Sequence, residues 1–276
     1  NTLYKGKRTN AVDHTILAYE HGYTYENTGA PIIIGDGLLG ENNFTAKAEG
    51  LLCKNLHLSG IAKACDGIFA VTHVTGHLAS GYGGAIKNVG MGLSSRGGKL
   101  AQHSSTIPKI NEKKCKKCNL CEQWCPAGAI KMAEYFASID KLLCIGCGEC
   151  LAVCPHDGVN IPWDEKFSVL QQKMAEYTLA ISKEKEGKIF FINFLTHFTQ
   201  HCDCMNKAYP ALLPDIGILA SFDPIAIDKA SIDITNQTAG EDVFKKYWPK
   251  IDYLEQLKYG EKIGLGTLQY DLEEIN

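Results

Sequence analysis

Two copies of one cysteine pattern, C-x2-C-x2-C-x3-C-P, dominate this chain. The first comprises Cys115, Cys118, Cys121, Cys125 and Pro126, and the second Cys144, Cys147, Cys150, Cys154 and Pro155. Two-residue gaps bring three thiolates onto one tight loop. The proline then turns the chain away, so the fourth thiolate reaches across a local pseudo-twofold to the other loop. This is the bacterial-type spacing for two [4Fe–4S] clusters, in which the fourth cysteine of each run ligates the other cluster. The expected sets are Cys115, Cys118, Cys121 and Cys154 for one cluster, and Cys144, Cys147, Cys150 and Cys125 for the other. Zinc needs only four ligands per ion and leaves the third cysteines and both Cys-Pro ends unexplained.

Around this pattern the composition is that of an ordinary globular protein, 45% hydrophobic and 21% charged. A net charge of −3 offers no electrostatic case for nucleic acid. No apolar run approaches the ~20 residues that span a bilayer. The start carries no leader-like pattern, so the expected compartment is the cytoplasm. Twelve cysteines, eight of them at cluster spacing, in a chain of 276 residues argue for a reducing, anaerobic cell rather than a disulfide scaffold. The chain opens at Asn1-Thr-Leu-Tyr without a methionine, and the expectation is that an N-terminal portion is missing.

The pattern of apolar residues predicts a helix over 11–20, a short buried strand at Pro31–Ile34 and another over 66–72. Further strands are expected at 188–195 and 215–221. The spacing of Leu170, Met174, Tyr177 and Ile181 predicts a helix from Phe167 to Ser182. Another helix should start at Asp223-Pro224, a good cap followed by a good first-turn residue. Continuous apolar strands alternating with helices predict an α/β host with a mostly parallel sheet covered on both faces. The expected division is a host first part at 1–106, an inserted α+β ferredoxin-like module at 107–163 and a host second part at 164–276.

Other constellations qualify as site candidates. Gly35-Asp36-Gly37-Leu-Leu-Gly40 fits G-x-G-x-x-G after an apolar run, but Asp36 would stand where a pyrophosphate should sit. Its competing reading is a strand-ending turn. His73 and His77 follow one expected strand, and Cys202 and Cys204 follow another. Loops leaving the carboxyl ends of parallel strands converge, so Asp36, His73, His77, Cys202 and Cys204 form a candidate third metal site. The bland alternative is histidines bonded to loop backbone and two surface thiols. The turn Gly81–Asn88 offers backbone N–H groups to an anion, with Arg8, Lys87 and Asn88 as candidate anion or substrate contacts. Lys113, Lys114, Lys116 and Lys117 surround the first cysteine loop, while Cys53 and Cys65 read as small buried hydrophobes.

The chain resembles the family of uncharacterised Fe–S centre proteins. The resemblance is carried by Asn1-Thr-Leu-Tyr-Lys-Gly with Arg8 and His14, by Gly35-Asp36-Gly37, and by His73 through His77. It continues with Gly81 through Gly92, the two cysteine runs, Cys202-Asp-Cys204 and Ser221 through Ser231. It implies an α/β domain carrying an inserted dicluster ferredoxin, with more sheet before Asn1, and it implies no particular reaction. The expected function is single-electron transfer through two [4Fe–4S] clusters, with an additional metal ion or substrate site in the host. The alternatives are a non-catalytic carrier docking a redox partner protein, or a binding module whose clusters are structural.

Overall fold

The computed structural model describes residues 1–48, 51–205 and 207–275, and its contacts divide the chain into two compact units. The first consists of Asn1–Ala46, His57–Ile61 and Ser94–Glu165. The second consists of Lys47–Leu56, Ala62–Leu93 and Lys166–Asn276. The cysteine segment therefore shares a unit with the start of the chain.

In the first unit the helix Ala11–Glu20 forms as expected, its Asn10 side chain accepting the N–H of Asp13. The helix Arg96–His103 is capped in the same way, Ser95 Oγ accepting from the Gly98 N–H at 3.2 Å. Two short antiparallel pairs frame the cysteine segment. Lys109–Ile110 pairs with Val159–Asn160 and ties its ends together, and Ile130–Met132 pairs with Ala137–Ile139 at its middle. Their inward residues Ile130, Ala137 and Val159 join Leu3, Leu100 and Leu151 in one apolar core with Cys121, Cys150 and Cys154. Each large aliphatic side chain buried there contributes about 1.5–3 kcal/mol.

Pro31–Ile34 forms no strand. Pro31 lacks an N–H for a ladder, and Ile33 is 64% exposed. The glycine motif that follows is a bare turn, leading to the strand Asn43–Lys47 instead of a helix. The strand–turn–helix context of a dinucleotide loop is thus missing around Asp36.

The second unit is built on a three-stranded sheet. Its central strand, Ile189–Leu195, runs parallel to Ile68–His73, with Ile189 opposite Ile68 and Phe194 opposite His73. On its other side it runs antiparallel to Gly217–Ser221. The expected mostly parallel sheet is therefore mixed. The reason lies in the connections: a parallel return needs a crossover, usually helical, and the described part of 196–216 holds no helix. The central strand alternates, burying Ile189, Phe191, Asn193 and Leu195 on one face. The helices Ala85–Gly92 and Pro224–Ala239 cover that face, and Phe167–Glu184 packs on the first of them. The other face is not covered as expected, since Phe69, Val71, Ile218 and Phe222 are 76%, 59%, 57% and 73% exposed.

Candidate functional site

The two cysteine loops repeat each other in backbone conformation. Positions two and four residues after the first cysteine of each run are left-handed: Lys117 (φ 53°) and Asn119 (φ 65°) in the first, Gly146 (φ 70°) and Gly148 (φ 75°) in the second. Each loop then enters a short helix, Leu120–Gln123 or Glu149–Val153, which carries Cys121 or Cys150 inward. After the fourth cysteines, Gly128 (φ 59°) and Asp157 (φ 52°) again correspond.

This repetition brings the thiols together in two small cavities. One is lined by Cys115, Cys118, Cys121 and Cys154, along with Ile110, Met132 and Val159. The other is lined by Cys125, Cys144, Cys147 and Cys150, with Pro108, Ile130 and Ile139. Each fourth cysteine receives a backbone N–H from four residues on, Ala129 to Cys125 Sγ and Gly158 to Cys154 Sγ, both at 3.2 Å. Burial, reinforced by neighbouring thiols, pushes the Cys121 and Cys150 thiols up. Burial likewise raises Cys147 to about 11. A metal that claims these sulfurs as thiolates must displace their protons.

The second cavity has a charged neighbour. Arg96 is fully buried at the start of its helix, and its guanidinium donates to the Thr9 carbonyl. Its stem lies so close to the second loop that a Cβ on Gly148 would meet Arg96 Cγ at 3.2 Å. Nε and Nη1 of Arg96 have no hydrogen-bond partner among the described residues. A wider groove lies along Gly97, Leu100, Ser104, Ile139 and Ile145, and it reaches Cys144 of the second set.

The structure distributes the remaining candidates between the units. Asp36 belongs to the first unit, where it is 2% exposed and accepts from the Asn1 side chain at 2.7 Å. Arg8 is also in the first unit, bonded to the Tyr4 hydroxyl at 3.0 Å. In the second unit His73 places Nδ1 2.8 Å from Asp203 Oδ2 and Nε2 2.7 Å from the Thr196 carbonyl. Both contacts use ring N–H groups, which leaves His73 no lone pair for a metal. Asn88 is likewise committed, its amide donating to the Val71 carbonyl and Thr72 Oγ1 at 2.9 Å each. The stem of Lys87 lies over Gly83, and its charge helps hold the Asp203 carboxyl below its usual range, after the His73 hydrogen bond. The structure does bring His77, Cys202 and Cys204 together.

One organising residue lacked a reading of its own in the sequence. Asp228, fully buried, accepts from Tyr82 Oη, Asn193 Nδ2 and the backbone N–H groups of Ala85 and Ile86 at 2.7–3.0 Å. It thereby caps the helix Ala85–Gly92 from a distant part of the chain and shapes the Gly81–Asn88 turn. Burial pushes its carboxyl up, with the four donors opposing. The signal available was an aspartate directly after the apolar opening Pro224–Ile227 of the helix Pro224–Ala239, at a position that other buried residues surround.

Comparison with known proteins gives the family. The model of the domain of unknown function DUF362 matches residues 2–233, and the chain belongs to that family. Curated relatives match over short stretches only. A subunit of the ion-translocating oxidoreductase complex of Methanosarcina acetivorans is 40% identical over 55 residues, 20% of this chain and 21% of that protein. An uncharacterized protein of Methanocaldococcus jannaschii is 48% identical over 52 residues, 19% of this chain and 20% of its own length. The IorA subunit of the indolepyruvate oxidoreductase of Pyrococcus abyssi is 42% identical over 53 residues, 18% of this chain and 8% of that protein. The chain thus spans about a fifth or less of the curated relatives it matches. No solved structure matches it.

Proposed function

We propose that this chain is an iron–sulfur electron-transfer protein holding two [4Fe–4S] clusters. One would sit on Cys115, Cys118, Cys121 and Cys154, the other on Cys144, Cys147, Cys150 and Cys125. The observation that carries the reading is the grouping of the eight thiols. Each cavity is lined by three cysteines of one run and the fourth of the other, the sharing that a dicluster module uses. The relatives add support, because two are named as oxidoreductase subunits and match over 55 and 53 residues, about the length of 107–163.

When bound, each cluster takes up and releases one electron. The residues of the chain set the conditions. The N–H groups of Ala129 and Gly158 offset negative charge on Cys125 and Cys154, and apolar side chains line the rest of each cavity. Buried Arg96 interacts electrostatically with Cys147, placing positive charge beside the second set, which raises the potential of a cluster held there. The groove that reaches Cys144 offers a small-molecule substrate or a redox partner protein an approach to that set.

Anaerobic reconstitution tests the reading. It should yield ~8 irons and ~8 sulfides per chain, and the dithionite-reduced protein should show spin coupling between clusters. Cys154→Ala should damage the cluster of Cys115, Cys118 and Cys121, although Cys154 lies in the other run. Damage confined to the Cys144 set would overturn the crossed assignment, and a chain that takes up zinc but no iron would overturn the clusters altogether.

A further inference from the structure

The two cysteine loops share a backbone and differ in what they show to solvent. Aligned on their first cysteines, Lys113, Lys114, Lys116 and Lys117 of the first loop correspond to Leu142, Leu143, Ile145 and Gly146 of the second. The matched left-handed positions, Lys117 with Gly146 and Asn119 with Gly148, make the correspondence structural. All four lysines are exposed. On the other loop Leu142, Leu143 and Ile145 are 96%, 53% and 59% exposed. A pseudo-twofold module thus carries a cationic mouth over one set of thiols and an apolar mouth over the other.

The cationic mouth is also the more open one. Of the eight thiols in the two runs, Cys118 alone is exposed. Lys116 lines the first cavity together with it. Lys113 and Lys116 have no hydrogen bond or ion pair with any described residue. Lys117 donates to the Glu134 carbonyl at 2.5 Å, which leaves its charge unneutralised. Asp157, which feels Lys114, is already paired with Lys5 at 2.7 Å. Within 112–118, Glu112 is one carboxylate against four lysines. The chain as a whole carries −3, so this loop reverses the overall sign locally.

We propose that the first cysteine loop is the docking surface for an acidic one-electron carrier protein, which exchanges electrons with the cluster on Cys115, Cys118, Cys121 and Cys154 past the exposed Cys118. The inference rests on the two-cluster reading above and adds the chemistry of the partner and the cluster that meets it. Ammonium groups on flexible stems are hydrated point charges, suited to steering carboxylates into a short-lived complex rather than locking them. Such complementarity raises encounter rates by about 10–10³-fold and is lost as salt rises. The apolar second loop offers an acidic surface no such attraction. The step is balanced by the electron alone. The reduced member of the pair loses one electron, the other gains it, no bond forms or breaks and no proton moves.

The test uses the full cluster-bearing chain and, as probe, an acidic plant-type [2Fe–2S] ferredoxin. A carbodiimide condenses a lysine amine with a carboxylate and leaves as its urea. It should join the two proteins, with the amide bonds mapping to lysines of 113–117. In anaerobic stopped-flow mixing, whichever protein has the lower potential is reduced beforehand. The transfer rate should fall about tenfold or more between ~10 and ~150 mM salt, as the screening length shrinks from ~30 to ~8 Å. Two proteins of net negative charge without a local cationic patch would give the opposite slope. Lys113→Glu/Lys116→Glu should remove the cross-links and slow low-salt transfer about tenfold or more, with iron and sulfide unchanged. Leu142→Ala/Leu143→Ala should stay within about twofold of the wild type. Failure of the two-cluster reading would show separately, as iron and sulfide well short of ~8 each before any probe is added. No cross-link, cross-links confined to other lysines, a rate that rises with salt, or a charge-reversed pair that keeps the wild-type rate would each overturn the proposal.

Discussion

His73 Nδ1 stands 2.8 Å from Asp203 Oδ2, and the pair converts a histidine that looked like a ligand into a charged clasp between two loops. The hydrogen bond to Asp203 raises the imidazole pKa above 6.5 and lowers that of Asp203 below 3.8. The raised His73 value means its contribution is complete below the unfolded histidine value and fades as pH climbs through the folded one. The depressed Asp203 value means the carboxylate contribution holds above its unfolded value and fades on acidification. Stabilisation by the pair therefore spans the window between the two folded values. Asp203 is largely exposed, so the worth is under ~1 kcal/mol. An NMR titration of the His73 ring should give a pKa above 6.5 that falls in Asp203→Asn. An unchanged value in that variant would dissolve the clasp.

The left-handed positions of the second cysteine loop predict a graded response to alanine. A Cβ on Gly146 would meet no atom of the described residues within 4 Å, so Gly146→Ala incurs only the backbone term, ~1 kcal/mol. Gly148→Ala meets the same term and also pushes on Arg96 Cγ at 3.2 Å. Denaturant unfolding should rank Gly148→Ala as the more harmful of the two, and the reverse order would contradict the packing of Arg96 on this loop.

Asp228 should be the costliest single polar residue to replace in the second unit. Asp228→Ala removes the acceptor shared by a tyrosine hydroxyl, an asparagine amide and two backbone N–H groups in a fully buried place. The expected loss is ~3 kcal/mol or more. Thermal unfolding of the variant measures it, and a loss below ~1 kcal/mol would mean that the helix Ala85–Gly92 does not depend on this carboxylate.

Much of the local structure was legible because it is written in short-range chemistry. Apolar spacing announced the helix over 11–20 and Asp223-Pro224 the start of another, and Asp223 accepts the expected backbone N–H groups. The cysteine spacing put three thiols of each run on one tight loop, because steric rules of such a loop operate within a few residues, and each cavity is lined by three cysteines of one run and the fourth of the other. What the sequence hid was long-range. Pro31–Ile34 reads as a strand until one asks which strand would pair with it. The antiparallel return at Gly217–Ser221 depends on how the 196–216 connection folds, and no local pattern specifies that. His73 looked equivalent to His77, and only the positions of Asp203 and the Thr196 carbonyl separate a hydrogen-bonded imidazole from one placed beside sulfur. Convergence at one sheet edge gathered His77 with Cys202 and Cys204, but Asp36 belongs to a different compact unit.

The exchange of fourth cysteines between the two cavities also imposes an order in time on a chain made from its amino end. When Cys121 has been added, three thiols of the first set exist, yet that set waits for Cys154. The second set already owns Cys125 and closes on the arrival of Cys150, four residues earlier. A nascent chain therefore completes its second nest first. Two independent four-cysteine motifs would instead be completed in the order they are translated.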